Sequence, residues 1–330
     1  YTILEKGLEP EAEFDGIKVV RVKPEVQYSQ ASSLSKRFVF MFNGLREIRG
    51  ESFELVDGSS FMTYPLAWHS GMPNRIATYH DVWVGEWVRN IGASGVFGEV
   101  LERYVLSRRW DKYIAVSEYT KSKLVKNGVN PGDVAVIHNG VDLKQCRDIK
   151  AGKKREPTIC CVSRLVKYKH VDDLINAMQA VKEEFPDTRL VIVGTGPEEQ
   201  NLKDLAAGKG LEDCVEFKGF IPEHRKVLET MKSSNILCHP STVEGFGITL
   251  VEAMALKVPY VASDIPPLRE ASRDGAGGIL FTPLDVDDLA SKLKAALRGE
   301  VKAGASFIGE YDWRNIAGRV EEVYRRVVEG

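Results

Sequence analysis

The chain is 330 residues long, more than a single hydrophobic core usually organises, so two domains are expected. Hydrophobic residues make up 43% and charged residues 28%, an ordinary balance for a soluble globular protein, and a net charge of −2 gives no support for nucleic-acid binding. No uncharged apolar run approaches the roughly 20 residues that span a bilayer, and residues 1–6 do not read as a signal peptide.

In chain order, the first half reads as strands over 17–22, 53–56 and 75–80, a helix over 96–109, a strand over 112–117, a helix over 118–127 and a strand over 134–137. Residues 144–157 are polar and basic, the best linker candidate. The second half alternates more regularly. Strands over 158–162, 190–194, 215–217 and 236–238 are each followed by a helix, over 171–184, 198–208, 223–233 and 248–256. Strands over 258–262 and 278–281 and a helix over 287–297 complete it. Strands alternating with helices of 10–15 residues imply βαβ units and a parallel sheet. The fold class is therefore α/β, with two Rossmann-like domains facing each other across a cleft.

The most informative stretch is 240–254, where Glu244 and Glu252 flank the turn Gly245-Phe246-Gly247. Glu244 falls in the loop at the carboxyl end of a strand, and Glu252 in the second turn of the next helix. In open α/β sheets that crevice is where ligands bind. Gly245 and Gly247 leave the backbone free to come close to a ligand, and a helix start offers unpaired N–H groups to an anion. The arrangement suits a molecule with hydroxyls and phosphates, such as a nucleotide sugar.

With Thr78-Tyr79-His80-Asp81, Val116-Ser117, 137–142, Ser163-Arg164-Leu165 with Lys169, 193–197 and 244–252 standing in order, the chain resembles retaining glycosyltransferases of the GT-B fold, family 4. The resemblance implies roles. Arg164 and Lys169 would pair with the donor diphosphate and neutralise charge growing on the leaving group. Glu252 would accept hydrogen bonds from the ribose, and Glu244 would lie near the transferred sugar. Gly245, Phe246, Gly247 and Ile248 would offer main-chain N–H groups to sugar and phosphates. Gly219, Phe220 and Ile221 would hold the base through backbone contacts, and Gly194, with Gly196, would let the chain turn tightly beside the nucleotide. His80 would contact the sugar or handle a proton. The family usually has Gly after the lysine, whereas this chain has His170, which bears on the conformation of that loop.

The implied activity is retaining, metal-independent transfer of a hexose from a UDP- or GDP-sugar to a sugar, lipid-linked or small-molecule acceptor, with no cofactor. Asp285-Val286-Asp287 matches an Asp-x-Asp metal pattern but precedes a helix, where acids cap. Five cysteines without Cys-x-x-Cys spacing indicate neither a disulfide framework nor a zinc site, and a reducing cytoplasm is the expected setting. Trp83, Val84, Trp87, Val88 and Ile91 recur at helical spacing, which fits a core-facing helix or a peripheral contact with the inner face of the membrane. The expected division is 1–145, an acceptor-side domain opening past the family's first strand and Gly-rich loop; 146–312, a nucleotide-sugar domain; and 313–330, a helix returning to the first domain. A sugar-nucleotide epimerase of the same fold and a non-catalytic binding protein are the alternatives, and fold alone decides neither.

Overall fold

The computed structural model describes residues 1–14, 16–26 and 34–330, with the backbone alone at Leu34. These form two compact units, the first comprising 1–116, 120–136 and 321–330, the second 117–119 and 137–320.

In the first unit, β1 (Thr2–Glu5), β2 (Glu11–Phe14) and β3 (Ile17–Val26) make a small sheet ordered β1-β3-β2. After α1 (Leu34–Ile48) come β4 (Leu55–Gly58), α2 (Thr63–His69), β5 (Asn74–Tyr79), α3 (Trp87–Ile91), α4 (Gly95–Leu106), β6 (Lys112–Ala115), α5 (Glu118–Lys126) and β7 (Val134–Val136). The four strands from β4 to β7 pair in parallel in sequence order. The sequence reading put the strand at 17–22 into this alternating set, and the structure gives it to the separate sheet. The reason is its charge pattern: of β3 only Val22 and Val26 are buried, whereas a strand in a parallel sheet covered on both faces needs a near-continuous apolar run. The helical run expected from Trp83 begins only at Trp87. The N–H groups of Trp83 and Gly85 are instead taken by the carboxylates of Glu102 and Glu99.

The second unit opens with α6 (Leu143–Asp148), inside the segment read as a linker. Asp142 caps this helix by accepting the Gln145 N–H at 2.8 Å, and Leu143, Cys146 and Ile149 bury one face of an otherwise polar stretch. Then follow β8 (Thr158–Val162), α7 (Val171–Glu184), β9 (Arg189–Val193), α8 (Glu199–Gly208), β10 (Val215–Gly219), α9 (His224–Ser233), β11 (Ile236–His239), α10 (Ile248–Leu256), β12 (Tyr260–Ser263), α11 (Pro266–Ser272), β13 (Gly278–Phe281) and α12 (Val286–Leu297). All pairings in this six-stranded sheet are parallel, in the order β10-β9-β8-β11-β12-β13. The chain winds outward from β8 to β10 and then returns to the other side of β8 as β11. The connections after β8 and β11 therefore depart in opposite directions, which opens a crevice at the carboxyl ends of those two strands. Every residue of β11 and β12 is buried, as a doubly covered sheet requires. The last helix, α13 (Trp313–Glu329), starts in the second unit, and residues 321–330 group with the first. Among the described residues no helix is long and apolar enough to cross a membrane, and all five cysteines are buried and free.

Candidate functional site at the sheet's switch point

The loop after β8 is fixed by its neighbour before any side chain is considered. Ser163 N donates to Val193 O at 3.0 Å, Leu165 N to Thr195 O at 2.9 Å and Glu198 N to Leu165 O at 3.0 Å. A Cβ at Gly194 would lie 1.9 Å from Ser163 O, and one at Gly196 2.1 Å from Leu165 O, so only glycine allows this approach. Gly194 N in turn donates to Gly219 O at 2.8 Å. The close backbone contact at Gly194 is thus with the β8 loop, which it locks in place.

That loop ends in a single 3-10 turn, Lys167–Lys169. His170 follows in the left-handed region at φ 49°, the conformation for which glycine is favoured, and its Nδ1 lies 3.2 Å from Asp173 Oδ2. The turn is tied to the loop after β11 because Tyr168 O accepts from Thr242 N at 3.0 Å. The two loops together bring Lys169 Nζ to 2.5 Å from Glu244 Oε1, and His239 Nε2 donates to the same oxygen at 2.7 Å. The three side chains are nearly buried, 12%, 13% and 4% exposed for Lys169, Glu244 and His239. Burial alone would push the Glu244 carboxyl up, but the charges and hydrogen bonds of His239 and Lys169 prevail and hold it well below the usual carboxylate range. Arg164 is exposed on the same loop, its Nη2 donating to Tyr168 Oη at 2.7 Å, and Lys169 Nζ sits 5.5 Å from the Tyr168 ring centre. Tyr168 therefore carries both cations that the sequence singled out.

Beyond Glu244 the chain is pinned on both sides. Ser117 Oγ donates to Gly245 O at 2.6 Å. The Phe246 ring is buried, stacked on His138 with centroids 5.2 Å apart and edge-on to Tyr311 at 5.5 Å. His138 Nε2 is 2.9 Å from Glu270 Oε1, which also accepts the Glu118 N–H at 2.7 Å. Gly247 adopts φ 96°, and a Cβ there would meet Leu268 Cδ2 at 2.3 Å. It launches α10, whose first residue Ile248 is exposed and whose Glu252 lies one turn in.

Glu252 does not join the Lys169 group. It lines a separate cavity of about 390 Å³ with Asp142, Gln145, His224, Leu228 and Ile248. His224 Nε2 donates to Glu252 Oε1 at 2.8 Å, a bond that raises the imidazole above its ordinary pKa, and Nδ1 lies 3.3 Å from Gln145 Oε1. Gly219, at φ 65°, ends β10, with Phe220 exposed and Ile221 half-buried after it. His80 directly follows β5 in the first unit and is exposed. Asp285 caps α12, accepting the Asp288 N–H at 2.9 Å. Among the described residues the group dense enough to hold a cation is His170, Asp172 and Asp173, at the start of α7, where acids also complement the helix dipole. Sequence reasoning passed over His239, His224 and Tyr168. The one signal for His239 is its place at the strand end, five residues before Glu244.

Residues 144–309 match the family model described as Glycosyl transferases group 1, and residues 3–145 the one described as Glycosyltransferase Family 4. The chain is 35% identical over 231 residues to phosphatidyl-myo-inositol mannosyltransferase of Mycobacterium leprae, covering 67% of this chain and 57% of that protein. It is 26% identical over 226 residues to a phosphatidylinositol N-acetylglucosaminyltransferase protein of Arabidopsis thaliana, covering 66% and 50%. The chain thus spans about half the length of the curated relatives it matches. Among solved structures it superposes on sucrose-phosphate synthase from Thermosynechococcus elongatus with TM-score 0.81 at 20% identity, covering 98% of this chain and 87% of that one. Anabaena HepE in complex with UDP and glucose gives TM-score 0.73 at 19% identity, covering 92% and 86%. The fold is the GT-B fold of glycosyltransferases, and the chain belongs to the glycosyl transferases group 1 family.

Proposed function

We propose that the protein is a retaining, metal-independent glycosyltransferase that moves a hexose from a UDP- or GDP-sugar to a sugar, lipid-linked or small-molecule acceptor. The observation that carries this reading is the pairing of Lys169 with Glu244 at the β8–β11 switch point, with Arg164 exposed on the same loop. Two cations beside a sheet crevice suit a diphosphate, and they favour the leaving group as its charge develops. Glu244 is held ionised and is suited to accept a sugar hydroxyl and to stabilise positive charge at the anomeric carbon. Glu252, in its cavity on α10, is assigned the ribose hydroxyls. The main chain of Gly245 to Ile248 is assigned to sugar and phosphates, and Gly219 to Ile221 to the base. For His80 the assignment, contact with the transferred sugar, rests on the family resemblance alone.

The names of the mannosyltransferase and N-acetylglucosaminyltransferase relatives support a phosphatidylinositol-type acceptor. Exposed Val88 and Ile91 with Arg89 on α3 support peripheral contact with the inner face of a membrane from the cytoplasm. The test is a transfer assay with UDP-glucose, UDP-N-acetylglucosamine and GDP-mannose, phosphatidylinositol vesicles or free sugars as acceptors, and a chelator in one arm. An axial product bond from an axial donor, formed equally with chelator, is expected. An inverted product, or activity lost with chelator and restored by metal, overturns the retaining or the metal-free part respectively.

A further inference from the structure

We propose that Lys169 and Glu244 form a latch that the donor's diphosphate opens: the anion draws Lys169 away, and the carboxylate so released, kept in place by His239, receives the transferred sugar. This rests on the functional reading above. Lys169 and His239 converge on one carboxylate oxygen, Glu244 Oε1, at 2.5 and 2.7 Å. The two donors differ in their freedom. Lysine carries its ammonium on a flexible stem with three rotatable donors, and Lys169 rises from a one-turn element at the crevice. His239 is the last residue of a central strand, 4% exposed in its side chain, and its Nδ1 is buried with no partner among the described residues. The bond to Glu244 is therefore the polar anchor of that ring, and it persists when Lys169 moves.

The nearly buried pair couples two recognition events. A diphosphate must compete with Glu244 for Lys169, so part of its attraction is offset by breaking the ion pair. A sugar arriving without a diphosphate meets a carboxylate already engaged. Removing one partner of a buried pair leaves the other charge uncompensated, and a bound anion would relieve it. The variant Glu244→Gln should therefore bind free nucleoside diphosphate more tightly than the wild type while turning over more slowly, an outcome opposite in sign to the loss of a ligand contact.

Calorimetric titration of the full chain with UDP and with GDP tests this. At least a five-fold gain in affinity is expected for Glu244→Gln with whichever nucleotide binds, and no such gain when Lys169→Met is already present. Should Glu244→Gln fail to fold, Glu244→Asp, which keeps the charge but withdraws it from Lys169, should also tighten binding. Equal affinity in wild type and variant overturns the latch and leaves the functional reading standing. A gain undiminished in the Lys169→Met background also overturns it, since removal of any negative charge would then account for the effect. If neither the wild type nor a variant binds UDP or GDP, latch and functional reading fall together.

Discussion

At the scale of single residues, the two glutamates differ in how their partners hold them. Glu244 is clamped by two nearly buried donors, whereas Glu252 shares one oxygen with His224, whose side chain is 58% exposed. The groups facing His224 are Glu252 on α10, Gln145 on α6 and Asp142 at the start of α6. The hydrogen bond to Glu252 comes first among the causes raising the His224 pKa, so the folded state keeps a proton that the unfolded chain gives up near neutrality. The stabilisation is fully present below the ordinary histidine range and is lost as pH rises through the raised value. Thermal midpoints of wild type and His224→Ala should therefore differ most near pH 6 and converge by about pH 9, given an ordinary value near 6.5. A difference that stays constant with pH would show that the imidazole acts through packing alone. Glu244 and Glu252 were legible because their spacing places them around a strand–loop–helix junction. His224 and His239 were silent, because their meaning comes from which strands and helices lie side by side.

At the scale of elements, the segment between β5 and α4 shows how a sequence period can mislead. Trp83 to Ile91 carries helical spacing, but Glu102, buried on α4, takes the Trp83 N–H at 3.1 Å and the Trp87 indole N–H at 2.6 Å. Those bonds draw the first half of the segment into a loop, and a Cβ at Gly98 would come within 2.4 Å of the Trp87 ring that rests there. Aromatic residues at helical spacing report that side chains pack, not which backbone carries them. The strands of the second unit were legible for the converse reason, since a doubly covered parallel strand must be a short apolar run. Burial pushes the Glu102 carboxyl up to about 7, against the hydrogen bonds from Trp87 and Trp83. The folded state thus holds a proton over the window from 4.5 to about 7 in which the unfolded chain has released it. Its contribution to stability falls as pH rises through that window, by up to about 3 kcal/mol at 1.36 kcal/mol per pKa unit. Glu102→Gln, which keeps an accepting oxygen without the charge, should stabilise the protein by about 1–3 kcal/mol at pH 8 and by little at pH 5. Urea denaturation at the two pH values checks this, and equal effects at both would place the ionisation elsewhere.

At the scale of the whole molecule, chain order and unit membership part company. Residues 117–119 group with the second unit, where Glu270 accepts the N–H groups of Glu118 and Tyr119 at 2.7 and 3.2 Å, and nothing in the pattern of that segment announces it. The tail was easier to read as a helix, because Ile316, Val320 and Tyr324 recur at four-residue steps along α13. Its last ten residues group with the first unit, where they make a polar contact that periodicity does not reveal. Tyr324 Oη donates to Asp57 Oδ2 at 2.6 Å, and Thr78 Oγ1 donates to the same oxygen at 2.7 Å. Burial pushes the Asp57 carboxyl up, while these two bonds pull it back down. In Tyr324→Phe one of the two is gone, so the folded-state value rises further and the ionised carboxylate is less well satisfied. The folded state then holds its proton to higher pH than the wild type does. The deficit is therefore smallest where Asp57 is protonated in both proteins, and it grows as pH rises through the wild-type value toward neutrality. About 1.5–3 kcal/mol is expected at pH 8, the range for a hydrogen bond to a charged group, with a clearly smaller loss near pH 4. Thermal unfolding of both proteins across that range measures it. A deficit independent of pH would show that the Tyr324 hydroxyl acts without the ionisation of Asp57.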